Sequence, residues 1–289
     1  MQLSANGISI EVDDQGSPSS PPILLVMGLG MQLTGWPEEL VHMLAARGQR
    51  VIRLDNRDAG LSQGFEASGV PNLAWATLRY LLHLPLSAPY ALADMAADAF
   101  GVLDALGIGK AHICGASMGG MIAQHMAASR PERVARLTLI MTTSGSRRLP
   151  QPSANVRRAL IEPRASGPQD PNAEVERLMR LFTLIGSPAY RPDPEEFRAR
   201  LRASVQRAWR PSGVARQLVA VAADGDRTPM LARITAPTHI VHGAADPLIP
   251  VAAARELHAR IAGSTLEIIE GMGHDLPSQL WPRLAAAMS

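Results

Sequence analysis

Ser117, Asp246 and His274, in that chain order, supply the three side-chain types that acyl transfer at neutral pH requires. A hydroxyl is a poor nucleophile until a base takes its proton. An imidazole can accept that proton and pass it to a leaving group, while a carboxylate fixes which ring nitrogen carries hydrogen. The order Ser, Asp, His is the one expected where the nucleophile stands on a sharp strand-to-helix turn. Gly115-x-Ser117-x-Gly119 has the spacing of such a turn. To pass from strand to helix within two or three residues, Ser117 must hold a positive φ, and glycines two before and two after it keep side chains from colliding. The Met118 amide, at the start of the helix, then points where negative charge gathers. A G-x-S-x-G match also arises by chance in a chain with 24 glycines, as a plain Gly/Ser turn. Its weight here comes from context: the apolar run Ala111–Cys114 before it reads as a buried strand, and Met121–Ala127 after it reads as a helix.

The other two residues need elements that bring them to the same place. Asp246 follows the apolar run Pro237–Gly243, and His274 follows Thr265–Ile269, within Gly271-Met-Gly-His274-Asp275. Each therefore stands just past the C-terminal end of a strand, where the loops of a parallel sheet converge. The glycines before His274 let the imidazole swing over Ser117. Asp246-Pro247 after Gly243-Ala-Ala is also ordinary turn chemistry, with Asp224 and Asp226 as distant substitutes.

The remaining elements read in order. Residues 1–16 alternate as a hairpin turning at Asn6-Gly7, and Ile23–Met27 is a continuous apolar run, the mark of a strand covered on both faces. A helix from about Pro37 to Gly48, a strand Val51–Asp55, a helix Tyr90–Leu106 and a strand Val134–Met141 continue an alternating α/β pattern. Gly28-Leu29-Gly30, after the third strand, serves one of two purposes. It can turn the Leu29 amide toward Ser117 to complete an oxyanion hole with Met118. It can also be read as a phosphate loop with Asp55 gripping a ribose, although Leu33 stands where that fingerprint needs its third glycine. The charged stretch Asp55–Ser62 reads as a structural loop cross-bridged by Arg57, or else as a substrate contact. Residues 63–89 read as irregular and partly apolar, a flap near the site.

At 289 residues and 46% hydrophobic content, one domain with a large insertion is expected: a core of residues 1–143 and 230–289, and a helical cap over 144–229. Helices are expected near 173–185, 194–209 and 214–223. The cap holds 15 Arg against 9 Asp and Glu, read as a solvated surface rather than an anion trap. No basic run is interleaved with aromatics, so nucleic-acid binding is not expected at a net charge of +2. No leader-like or membrane-spanning run is visible, which suggests a cytoplasmic protein without membrane association. The lone Cys114 excludes an internal disulfide and reads as a small buried hydrophobe. His239 and His242 fall on opposite faces of one strand, so they argue against a metal pair.

Leu24-Leu-Val-Met-Gly28, Asp55–Ser62, Gly115–Gly120, Gly243-Ala-Ala-Asp246 and Gly271-Met-Gly-His274 together resemble the α/β-hydrolase family over nearly the whole chain. Val-Met-Gly followed by Gly35-Trp36-Pro37, and Gly-Met-Gly-His near the end, are similar to the aclacinomycin methylesterase group. The resemblance implies an α/β-hydrolase fold with a mostly parallel eight-stranded sheet, a helical cap, no cofactor, and the triad named above. Many relatives carry His-Gly after the third strand, where Met27-Gly28 stands here. The expected activity is serine carboxylic-ester hydrolysis of a small to medium ester, with Leu29, Trp36, Met118, Leu248 and Leu276 as pocket walls. Acyl transfer or perhydrolysis on the same triad, and a slow-turnover ligand-binding receptor on the same fold, stay open, as does assembly into a homo-oligomer.

Overall fold

Short stretches of four to eight residues, mostly apolar in the centre of the sheet and alternating in the first hairpin, become strands. In a computed structural model that describes residues 1–160 and 170–289, they are β1 (Gln2–Ala5), β2 (Ile8–Gln15), β3 (Pro22–Val26), β4 (Arg50–Leu54), β5 (Ala111–Ala116), β6 (Val134–Ile140), β7 (Thr238–Gly243) and β8 (Thr265–Ile269). They form one eight-stranded sheet in the order β1-β2-β4-β3-β5-β6-β7-β8. The first hairpin is antiparallel, as is the pairing of β2 with β4, and every later pair is parallel. Central β5 is buried at all six positions, which explains why its sequence does not alternate with exposed polar residues and why its one polar side chain, His112, is bonded to Thr138. The strand order reverses between β3 and β5, and such a switch point leaves a crevice beyond the C-terminal strand ends.

Helices α1 (Glu38–Ala46), α3 (Leu92–Ala105), α4 (Met118–Ser129), α10 (Ala252–Arg260) and α11 (Trp281–Ala287) flank the sheet, while α2 (Leu73–Leu81) lies away from it against the helices that follow β6. Alternate strand residues feed two cores. Ile113 and Leu24 join α3, α4 and α10 on one face, while Cys114 and Leu25 join α1 and α11 on the other. Residues such as Leu24, Leu25, Ile52 and Ile113 have no exposure, and each contributes roughly 1.5–3 kcal/mol of burial.

Between β6 and β7 run α5 (Ala154–Leu160), α6 (Pro171–Ile185), α7 (Pro194–Arg207), α8 (Pro211–Asp224) and α9 (Thr228–Leu231). Helices α6, α7 and α8 start two or three residues earlier than the sequence pattern suggests, or at its expected edge. The reason is that Pro171, Pro194 and Pro211 stand in their first turns, where a missing N–H costs nothing. Val175, Leu201 and Val205 make a small core of their own, joined by an edge-on contact of Phe182 with Phe197. Residues 63–89 differ from the irregular segment expected: Leu73–Leu81 is a helix, capped by Asn72 accepting from the Trp75 amide. No residue of that helix is buried, so it belongs to neither core of the sheet.

The charged loop after β4 is structural, but Arg57 does not bridge it. Arg57 instead forms a two-pronged pair with Asp98 of α3. Asp58 takes two bonds from Arg216 of α8, and Asp55 takes one from Arg207 of α7. Burial raises the Asp58 pKa, yet the bonds from Arg216, Tyr90 and the Phe65 amide outweigh it and hold the carboxyl below its ordinary value. This loop is thus the rivet between the sheet and the helices that follow β6. Among the described residues no helix is long and apolar enough to cross a membrane.

Candidate active site

Strand β5 ends at Ala116, helix α4 starts at Met118, and Ser117 alone makes the turn, with φ 55° and ψ −120°. A non-glycine residue in that region costs of order 1–3 kcal/mol, so the surroundings must impose it. They do so with backbone. A Cβ on Gly115 would lie 2.2 Å from the Gly119 carbonyl oxygen, and one on Gly119 would lie 2.0 Å from the Val26 carbonyl oxygen. The Ser117 amide donates to Ile140 at 2.9 Å, and its carbonyl accepts from the Thr142 hydroxyl at 2.7 Å. The serine hydroxyl is left just past the C-terminal end of β5, half-buried.

The structure brings Ser117, His274 and Asp246 into one hydrogen-bonded line. The Ser117 hydroxyl stands 3.0 Å from His274 Nε2, positioned to donate to it, and His274 Nδ1 stands 2.7 Å from Asp246 Oδ2. His274 and Asp246 are both buried, and Ser117 is half-buried. The other carboxylate oxygen of Asp246 accepts from the amides of Leu248 and Ile249, at 2.9 and 2.8 Å. That leaves one oxygen aimed at the imidazole and fixes the proton on Nδ1, so Nε2 presents a lone pair to the hydroxyl. A second histidine, His242, donates from Nε2 to the Ile249 carbonyl at 2.7 Å and lies 3.6 Å from Asp246. Burial lowers its pKa, with Asp246 opposing, so a neutral ring closes the 246–249 turn. Nothing in the linear sequence separates that role from any other histidine at a strand end.

The loop that carries His274 is held from outside the sheet. The His274 amide donates to the Ile185 carbonyl at 2.7 Å, and the Gly273 amide donates to Ser187 Oγ at 2.9 Å. Ser187 in turn donates from its amide to Asp275 at 3.1 Å and from its hydroxyl to the same oxygen. Burial pushes the Asp275 carboxyl above its ordinary value, against the bonds from Ser187. Ile185 ends α6, so the tail of that helix braces the imidazole.

Gly28-Leu29-Gly30 passes directly beside Ser117: a Cβ on Gly28 would lie 3.1 Å from the serine Cβ and 3.6 Å from its Oγ. The Met118 amide, first in α4, has no intrahelical carbonyl to bond. Of the other residues singled out, Leu29, Leu248 and Leu276 are half-buried against the cores. Trp36 and the Met118 side chain are corrections. Trp36 has 0% exposure in the core beneath α1 and Met118 has 1% in the opposite core, so neither side chain offers a wall to a ligand. The phosphate-loop alternative also fails on geometry, since Asp55 is fully buried and bonded to the Leu33 and Leu61 amides and to Arg207. Asp224 bonds His125 and Arg227, and Asp226 caps the Thr228 amide; neither joins His274. His239 bonds Thr265 and Glu267. Among the described residues no cluster of three His, Cys, Asp or Glu side chains could hold a metal ion.

The sequence profile of a family described as alpha/beta hydrolase fold matches residues 21–278. Rhodomycin D methylesterase DauP of Streptomyces sp. (strain C5) is 31% identical over 293 residues, covering 94% of this chain and 91% of that protein. Rhodomycin D methylesterase DnrP of Streptomyces peucetius is 31% identical over 298 residues, with the same coverage of 94% and 91%. Both agree with the methylesterase resemblance read from the sequence. Among solved structures, an enol-lactonase from Burkholderia xenovorans LB400 superposes with TM-score 0.75 at 21% identity, covering 99% of this chain and 97% of that one. An esterase from Exiguobacterium antarcticum does so with TM-score 0.75 at 22% identity, covering 99% and 96%. At such identities these two likenesses speak to the fold alone.

Proposed function

Since the chain belongs to the α/β-hydrolase family, we propose that it hydrolyses carboxylic esters through an acyl-enzyme on Ser117. The observation that carries this reading is the unbroken line from Ser117 to His274 to Asp246, at 3.0 and 2.7 Å, mounted on a positive-φ turn. In the first step Oγ attacks the ester carbonyl carbon while its proton passes to His274 Nε2. The carbonyl oxygen becomes an oxyanion, which the amides of Met118 and Leu29 stabilise. As the tetrahedral adduct collapses, the C–O bond to the alcohol breaks and His274 returns the proton to the departing oxygen. Water then attacks the acyl carbon and gives its proton to His274; the acid leaves, and Ser117 regains its hydrogen. Asp246 holds the ring throughout and stabilises its charged form.

The helices of residues 144–229 act as a cap over a core of residues 1–143 and 230–289, with Leu248 and Leu276 at the substrate's apolar side. The methylesterase relatives make small alkyl esters the first class to test. The test is hydrolysis of p-nitrophenyl esters from acetate to palmitate and of aryl methyl esters, comparing wild type with Ser117→Ala. Ser117→Ala should fold normally and lose turnover by about 10⁴-fold or more. Full turnover in that variant would overturn the assignment.

A further inference from the structure

We propose that Gln217, on α8, is a positioning residue for the oxyanion loop; the inference rests on the acyl-enzyme reading above. The side chain is fully buried and both of its polar ends are in use. Its Oε1 accepts from the Gly30 amide at 2.8 Å, and its Nε2 donates to the Arg57 carbonyl at 2.8 Å. Val214, one turn earlier on the same face of α8, packs on the same glycine: a Cβ on Gly30, whose φ is +67°, would lie 2.7 Å from Val214 Cγ2. Helix α8 thus grips the loop twice, by a hydrogen bond from the Gly30 amide and by van der Waals contact.

The grip matters because of where the neighbouring amide points. The Gly28 carbonyl accepts from the Met31 amide at 3.2 Å, which closes a tight turn over residues 28–31. In a trans peptide the C=O and the following N–H point opposite ways. A Gly28 carbonyl turned into the turn therefore directs the Leu29 N–H out of it. Fixing the Gly30 N–H on Gln217 fixes the next peptide plane, so Leu29 is restrained on both sides. The far end of Gln217 is firm as well. It rests on the backbone of Arg57, whose guanidinium is buried against Asp98, and the adjacent Arg216 is paired with Asp58. The hydrogen bonds of Gln217 go to Gly30 and Arg57, not to Ser117 or His274. Its effect reaches the oxyanion only through the aim of one amide, and an oxyanion donor works only within a few tenths of an ångström of its proper place.

The experiment measures p-nitrophenyl ester turnover and inhibition by phenylboronic acid in wild type, Ser117→Ala, Gln217→Leu and Gln217→Glu. Phenylboronic acid forms a tetrahedral adduct with a serine hydroxyl and places an oxygen where the oxyanion forms. Gln217→Leu should lower kcat by about 10- to 100-fold and weaken boronate inhibition by the same factor, with KM within about twofold. Gln217→Glu keeps the shape. Its protonated acid can both accept from Gly30 and donate to Arg57, whereas the ionised form cannot donate. Its kcat should therefore fall on the alkaline side, where wild type holds a plateau. A residue needed only for folding would lower the melting temperature and leave kcat, boronate affinity and the pH profile of the folded enzyme unchanged; that result overturns the proposal. Should Gln217→Leu not fold, the Gln217→Glu profile decides, and superposition on wild type overturns it. Turnover that survives in Ser117→Ala removes the acyl-enzyme reading itself. Ser117-dependent turnover indifferent to Gln217 removes only this inference.

Discussion

Ser117 and His274 stand 3.0 Å apart, yet different parts of the chain hold them. The serine is held by the sheet: its φ is forced by backbone pressed on backbone at Gly115 and Gly119, and its own amide and carbonyl are tied to the end of β6 and to Thr142. The histidine is held by the helices that follow β6, through Ile185 and Ser187, and the loop beside the serine is held by Gln217. The nucleophile is fixed mainly by backbone pressed on backbone, whereas the base, besides its backbone bond to Ile185 and the close approach of Gly273 to Gly186, leans on the Ser187 hydroxyl, a side-chain support that can be removed singly. The first kind of support should fail all at once and the second by degrees.

The difference can be broken at its strong end first. Gly119→Ala sets a methyl 2.0 Å from the Val26 carbonyl oxygen and 2.8 Å from that of Met27, both backbone atoms rather than the end of a flexible side chain. It should cost at least about 3 kcal/mol, read as loss of soluble native protein or a collapsed thermal transition. The sheet side can also be probed by acid. His112, on β5, is buried against Thr138, and its pKa is pushed down to about 4, mainly by burial and then by Arg136. The unfolded chain takes up that proton at the ordinary value of 6.5 while the folded one does not. Stability should therefore fall as pH drops from 6.5 toward 4, by about 3 kcal/mol from this group, and flatten below. Urea titrations of His112→Leu across that range should show the slope removed; an unchanged slope would place the acid sensitivity elsewhere. The smallest effect belongs to the histidine side. Ser187→Ala strips one partner each from Gly273 and Asp275, and should cost about 1–2 kcal/mol of stability with roughly a tenfold fall in kcat. If Ser187→Ala loses stability without slowing turnover, the brace on His274 is not a catalytic one.

The same contrast explains what could be read from the sequence. The elbow is legible because its cause is local: two glycines, a serine and an apolar strand within five residues. The parallel strands announce themselves as continuous apolar runs, so the sheet and its order of elements follow. Gln217, Ser187 and Arg216 are not legible. Each acts across 86 to 187 residues of chain, and nothing near it in sequence says which distant amide or carboxylate it meets. Arg57 shows the same limit from the other side. It sits among acidic neighbours in its own loop yet pairs with Asp98, 41 residues away, because that carboxylate is buried and needs it. Trp36 misleads for a related reason: an aromatic beside a glycine-rich loop suggests a pocket wall, whereas the ring turns inward to fill the core under α1.

Cys114 sits three residues before Ser117, fully buried on the central strand, and is the chain's sole thiol. Burial raises its pKa, so even a thiol that glimpsed solvent would react slowly until the strand came free. The protein thus carries one silent chemical tag at the centre of its sheet. The rate at which a thiol reagent modifies it under native conditions counts the openings of that centre, molecule by molecule, with no label to introduce and no second site to subtract.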